Sequence, residues 1–457
     1  MNGLRCVMLF VASSAAASGY SVLSHEAIID SAWKDNIRPI LLQRFPNATP
    51  DDLRKAHGYA YGGAIIQDLG YYPFGSHLFT DLTHYIRSGD FILNMLASAQ
   101  DLNEYAFALG SLAHYGSDNI GHSIAVNISV PLIYPKDRRK FGPVATYEDN
   151  PGDHLKMEFA FDVSQAAENH YAPEDYHDFI GFEVSEPVLE RAFEATYGVP
   201  LKEISKNLDL ALGTYRWTVS TLLPKMTRAA WSAHKDEIMR ANPGAVRKKF
   251  VYAISRSSYE KEWGTNYGRP GPGASILAFF IRILPKVGPL KSLAFRPATP
   301  ETQKLFMDSF VKALDFYKSK LAEVRAKGKP DLPNTNFDTG EAPRAGKYQL
   351  ADKASDTLLT KLAERHGAPV DEGLREAILN FYGSQTPADA KAAAELTALR
   401  SQGAATHLYT KIAVCQLDVY GVLNGLMESL PTVTGQSQQA QGRSVNLSAA
   451  RSTPESF

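Results

Sequence analysis

Cysteine is almost missing from this chain, with two in 457 residues, Cys6 and Cys415. Cleavage of an N-terminal leader removes Cys6 and leaves Cys415 alone, which excludes an internal disulfide. Charge of one sign is missing as well. The 48 basic and 49 acidic residues give a formal net charge of −1. That balance offers no global attraction to nucleic acid or to an anionic membrane surface, although local patches stay open. No apolar run outside the leader continues unbroken. The richest one, residues 274–295, is interrupted by Pro285, Gly288 and Pro289, which rules out a straight transmembrane helix. Strand-like alternation is scarce and confined to Ala125–Ile133.

What is present is enough apolar material for a large core, 44% of residues with 11% aromatic, arranged mostly at helical spacing. Residues 1–19 read as a secretory signal. Arg5 is the basic start, Cys6–Ala12 the apolar stretch and Ser13–Gly19 the small-residue end, which makes Tyr20 the mature N-terminus. Export without disulfides fits a bacterial secreted or periplasmic protein. Ser24 opens a helix that continues through Trp33, Asp101-Leu-Asn-Glu104 resembles a capping box, and Thr299-Pro300-Glu301 is a strong helix start. Further helices are expected over 202–240, 300–326, 350–366, 370–383, 387–401 and 403–430. The expected class is all-α and multi-helical. A helical domain over 20–327 is followed by a connector over 328–345, a C-terminal helical region over 346–431 and a disordered tail over 432–457. The run 274–295 fits a core helix hairpin or an interfacial segment that holds Arg282, Lys286 and Lys291 at headgroup level.

Histidine carries the chemistry. Of the 12 in the chain, His25, His57, His77, His84, His114, His122 and His154 fall before residue 160. In Leu112-Ala-His-Tyr-Gly-Ser-Asp-Asn-Ile-Gly-His-Ser123, His114, Asp118 and His122 recur every fourth residue. Each such step advances about 40° around a helix, so all three project from one face. His154 and Glu158 repeat the spacing. Imidazole and carboxylate suit zinc and its neighbours, and five of them aimed inward are costly unless a cation sits between them. Asp68 closes an apolar helix just before a Gly/Pro loop. A lone histidine on an apolar face is usually a hydrogen-bonded core residue, and His57 is read that way. His170 and His177 lie in a polar loop, and His234, His366 and His407 belong to no constellation.

In this order the ligands resemble the zinc-dependent phospholipase C family, related to the P1/S1 nucleases. The likeness runs through Tyr20-Ser-Val-Leu-Ser-His25, Asp68, Asp81-Leu-Thr-His84-Tyr, HxxxDxxxH and HxxxE, over residues 20–165. It implies a helical enzyme with up to three zinc ions. Asp68, His84, His114 and Asp118 would hold one. Asp118 would bridge to a second, completed by His25 and by the amino and carbonyl groups of Tyr20, where familiar members carry Trp. His122, His154 and Glu158 would hold the third. Asp68 and Asp118 would be the catalytic carboxylates, with Asp68 also a possible base. His77 competes with His84, and His84 is preferred because His77 falls in a loop. The resemblance implies a secreted phosphodiesterase that hydrolyses phospholipids at a membrane surface through metal-activated water, with no protein partner. Tyr59, Tyr61, Tyr71, Tyr72, Tyr85 and Tyr115 then line a choline-like pocket or simply serve the core. Two other readings stand beside it: a P1/S1-like single-strand nuclease acting on nucleic acid, and a non-catalytic zinc-stabilised helical protein.

Overall fold

The computed structural model describes residues 22–72, 74–168, 182–217, 235–236, 239, 296–365 and 370–401. The leader, Tyr20, the run 274–295, the helix expected over 403–430 and the tail lie outside them. So do His170, His177, His234, His366 and His407. Every regular element among the described residues is helical. No helix among them is long and apolar enough to cross a membrane.

The chain begins with α1 (Val22–Ala32), a π-turn over Trp33–Ile37 and α2 (Arg38–Arg44). Helix α3 (Pro50–Ile65) starts at Thr49, whose hydroxyl accepts from the Asp52 N–H while the Asp52 side chain accepts from the Thr49 N–H. Proline at its first position costs nothing there, because that N–H has no partner within the helix. A 3-10 turn, Ile66–Tyr71, carries Asp68 off its end. Next come α4 (His77–Tyr85), α5 (Ser88–Ser98) and the long α6 (Leu102–Gly121). Asp101 caps α6 by accepting from the N–H groups of Asn103 and Glu104. Glu104 instead accepts from the Gln100 N–H, one residue short of a full capping box.

Residues 125–133 correct the expectation of a strand. A π-turn, His122–Val126, passes directly into α7 (Asn127–Ile133). Val126, Val130 and Ile133 are buried in the helical core instead. Tertiary burial overrides a weak strand propensity here. Then follow α8 (Pro135–Phe141), α9 (Pro151–Glu168), α10 (Glu186–Tyr197), α11 (Leu201–Ile204) and α12 (Leu208–Trp217).

After the described chain resumes, α13 (Pro300–Lys327) starts in the Thr299 capping box and ends at Gly328, whose φ of +78° suits only glycine well. Helices α14 (Gln349–Glu364) and α15 (Glu372–Tyr382) and a last helix over 390–401 follow. Residues 1–399 form one compact unit. One core spans it, from Ile28 through Phe107 and Tyr317 to Leu358 and Leu396. At its middle α6 packs between α3 and α13, and this is the helix that presents the histidine face.

Candidate metal centre

Helix α6 delivers His114 and Asp118 to a completely buried spot, where Asp68 and His84 meet them. Around it the His84 Nε2 is 3.2 Å from Asp68 and 3.4 Å from Asp118. The His114 Nε2 is 3.1 Å from Asp118 and 3.9 Å from Asp68. The two imidazole Nε2 atoms are 3.3 Å apart. A tetrahedral zinc with bonds of about 2.0–2.1 Å separates its ligand atoms by about 3.3 Å. The four side chains therefore sit near the corners of such a tetrahedron.

The hydrogen bonding points the same way. His84 Nδ1 donates to the Thr80 carbonyl and His114 Nδ1 to the Ala64 carbonyl, each at 2.9 Å. Those acceptors fix both rings with the Nε2 lone pair facing inward, the tautomer a metal ligand needs. Both oxygens of Asp68 and of Asp118 are buried and make no hydrogen bond. Burial opposes a charge on His84, but the Asp118 and Asp68 carboxylates outweigh it and push its pKa up to about 10. Asp118 feels the same desolvation, yet the surrounding imidazoles hold it well below the ordinary carboxylate range. This cluster holds positive charge tightly, whether as a proton or as a metal ion.

His25, on α1, approaches from the other side. Its Nε2 is 3.3 Å from the Asp118 Oδ1, while His84 and His114 take Oδ2, and its ring stacks on His114 at 4.5 Å. Asp118 thus divides its two oxygens between two sets of imidazoles. Tyr20, the expected further ligand beside His25, lies outside the described residues. His77 is exposed at the start of α4, away from the cluster that holds His84. His57 turns to Asp30 at 2.9 Å and stacks on Trp33 at 3.9 Å. The variants His77→Ala and His57→Ala are expected to keep their full zinc content, and His84→Ala to lose zinc. His57→Ala should still cost about 1–2 kcal/mol of stability for its bond and stack. Metal analysis and thermal melts of the three proteins check this.

A second buried group forms where α6 passes into its π-turn. It comprises His122, His154 of α9, and Asp338. The His122 Nδ1 is 2.9 Å and the His154 Nε2 3.7 Å from the same Asp338 oxygen. Glu158, the carboxylate expected with them, has its Oε1 2.7 Å from the His154 Nδ1 at an angle that makes no hydrogen bond. Asn127 Nδ2 donates to the Asp338 carbonyl, which aims the Asn127 Oδ1 at the His154 Nε2, 2.8 Å away. His154 is thus hydrogen-bonded through Nε2, while burial lowers its pKa and disfavours a second ring proton. The donor set fits zinc at both groups.

Asp338 had no signal in the sequence, because it stands in the Pro/Asn-rich stretch after α13, where no helical period marks a ligand. Tyr147 was missed for the same reason. It lies between the groups, 5.7 Å from both the Tyr71 and His154 rings. Of the tyrosines expected around the site, Tyr71 packs edge-on against His84 and its hydroxyl meets that of Tyr85. Tyr115 bonds the Pro333 carbonyl, Tyr61 bonds Asp30, and Tyr72 packs on Tyr215. No curated protein and no solved structure matches the chain. The model of one family does match, over residues 24–207, which include every residue of the two groups except Asp338. That model describes the zinc-dependent phospholipase C family, which this stretch of the chain therefore resembles.

Proposed function

We propose that this protein is a secreted or periplasmic phosphodiesterase that cleaves phospholipids into diacylglycerol and a phosphorylated headgroup. The observation that carries the reading is the near-tetrahedral Asp68–His84–His114–Asp118 cluster inside the family segment. The leader pattern of residues 1–19 supports export.

When bound, zinc supplies Lewis-acid charge to the phosphate oxygens and lowers the pKa of a nearby water. The chain does the rest. The Thr80 and Ala64 carbonyls hold two imidazoles in one tautomer before any substrate arrives. Asp118 places one carboxylate between two groups of imidazoles, where it would temper repulsion between cations held on either side. Asp68, whose oxygens carry no hydrogen bond, is free to accept the proton of an attacking water. The water oxygen then bonds to phosphorus, the glycerol oxygen leaves, and the proton returns to it.

The test is to purify the mature protein, count its metals and present phosphatidylcholine and single-stranded DNA side by side. Zinc retention with release of phosphocholine and diacylglycerol is the expected result. Cleavage of the DNA alone would move the protein to the nuclease branch. Zinc without either activity would leave a structural role, and failure to hold zinc would overturn the whole reading.

A further inference from the structure

We infer that this protein docks on anionic lipid surfaces through one face, made by the exposed basic side of α8 and by two apolar loop tips, Phe74 and Val144, beside the metal centre. This rests on the phospholipid reading above and deepens it, because it names the surface that meets the substrate.

The charge comes first. Helix α8, Pro135-Lys-Asp-Arg-Arg-Lys-Phe141, carries Lys136, Arg138, Arg139 and Lys140, and all four are exposed. Its single acid, Asp137, is buried and accepts from the Asn150 side chain at 2.8 Å. The acids that follow in sequence are occupied as well. Asp153 pairs with Lys156 at 2.6 Å, Asp149 accepts from the Thr146 N–H and hydroxyl, and Glu148 accepts from the Gln349 N–H. Among the described residues, none of the four cations of α8 forms an ion pair. The whole chain sums to a charge of −1, so this helix is a local concentration of unpaired positive charge. Each Lys or Arg beside an anionic bilayer strengthens binding about five-fold.

The apolar tips tie that charge to the metal centre. Four large apolar side chains are exposed among the described residues, and two of them, Phe74 at 54% and Val144 at 47%, stand on loops that lead away from the two groups. The Tyr71 ring packs against His84 and the Tyr147 ring against His154, and the two tyrosine rings are 5.7 Å apart. Phe74 follows Tyr71 by three residues and Val144 precedes Tyr147 by three. Each tip therefore lies within about 11 Å of a tyrosine that touches a histidine of the metal groups. Both tips are held outward. Phe74 has a φ of +68°, a conformation that bulky residues rarely adopt, and behind it the Gly75 N–H donates to the Tyr72 carbonyl. On the other loop the Gly142 N–H donates to the Arg138 carbonyl and the Ala145 N–H to the Asn127 carbonyl, with Pro143 and Val144 exposed between these fixed points. An exposed aromatic ring on a strained backbone is unfavourable in water on both counts, whereas in the headgroup layer the ring is buried. Nucleic acid would use the cations and leave the tips in water. Apolar tips beside Lys and Arg are the composition of an interfacial anchor.

The test mixes the zinc-loaded mature protein with vesicles of phosphatidylcholine, alone or with phosphatidylglycerol added. Binding is read before turnover, by energy transfer from protein tryptophan to a dansyl lipid. The wild type should bind the anionic vesicles more tightly than the neutral ones, and less tightly as salt rises. The double variant Arg138→Gln with Arg139→Gln should bind anionic vesicles about 25-fold more weakly. Phe74→Asn, whose new side chain tolerates the left-handed conformation, should lose about 10-fold on both kinds of vesicle at every salt concentration. Both variants should cleave vesicles more slowly yet keep the wild-type zinc content and the wild-type rate on dispersed dihexanoylphosphatidylcholine. Wild-type binding that ignores lipid charge overturns the proposal, and so do variants that bind vesicles as the wild type does. Loss of single-stranded DNA binding in the arginine variant, with vesicle binding intact, overturns it in favour of a nucleic-acid surface. A wild type that binds anionic vesicles but cleaves no phospholipid defeats the proposed function and not the docking face. One that cleaves dispersed lipid without binding vesicles defeats only the docking face.

Discussion

Asp118→Ala is expected to lose at least two metal equivalents and to drop in kcat/KM by more than the roughly 10–100-fold that removal of an outer-shell partner costs. Among the described residues, Asp118 is a carboxylate within 3.5 Å of His84, His114 and His25 alike. Its truncation leaves three buried imidazoles with Asp68 as the nearest carboxylate of the cluster. Metal-free stability should change too, in a direction that pH reveals. His84 has its pKa raised from 6.5 to about 10, against burial, by Asp118 and Asp68. A raised histidine pKa stabilises the fold fully below the unfolded value, and that contribution is lost as pH rises through the folded value. The metal-free wild type should therefore lose this contribution between about pH 6.5 and 10. Without Asp118 the loss should come at lower pH. Asp118→Asn keeps the shape and removes the charge, so it should follow Asp118→Ala in metal content. Metal analysis and melts of the chelated proteins across pH decide the matter. An Asp118→Ala protein with its full zinc complement would mean that Asp118 joins no metal sites.

The residues that follow a helical period were legible in the sequence. His114, Asp118 and His122 announce themselves by spacing, and His154 with Glu158 does the same, because helix geometry converts position into direction. What spacing cannot convey is which ring nitrogen faces which neighbour. Glu158 lies one turn from His154, as expected, yet it meets Nδ1 while the second group gathers at Nε2. Asp338 was invisible for another reason. It stands 216 positions from His122, on a strap shaped by side chain-to-backbone bonds in place of a repeating pattern. Residues 125–133 were misread because a short apolar run fits a strand as well as a buried helix. Only the direct continuation from α6 through a π-turn decides it.

The glycines between α3 and α6 set the second large effect, on stability and ligand geometry together. A Cβ built on Gly110 would lie 2.0 Å from the Ala60 carbonyl oxygen, and one on Gly63 would lie 1.9 Å from that of Phe107. Both obstacles are backbone, so no rotamer change relieves them, and the helices must part by more than an ångström. Replacing glycine by alanine inside a helix ordinarily gains about 1 kcal/mol in propensity. Overpacking a close-packed interior costs about 1–3 kcal/mol, occasionally more. At a backbone–backbone contact the upper end applies, and the cost wins. Gly110→Ala is expected to destabilise the protein by about 3 kcal/mol or more. The damage also reaches the metal. Ala64 on α3 holds His114 on α6 through its carbonyl, and Asp68 follows α3 by a single turn. Parting the helices separates His114 from the acceptor that fixes its tautomer and from Asp68. Zinc affinity should therefore fall although no ligand is changed. Gly152→Ala is the control, because its new methyl would meet only the Asn150 side chain at 3.6 Å, and it should leave both melting temperature and zinc content near wild type. A Gly110→Ala protein as stable as Gly152→Ala would show that α3 and α6 can spread at little cost, and that the glycines are not what brings Asp68 and His114 together.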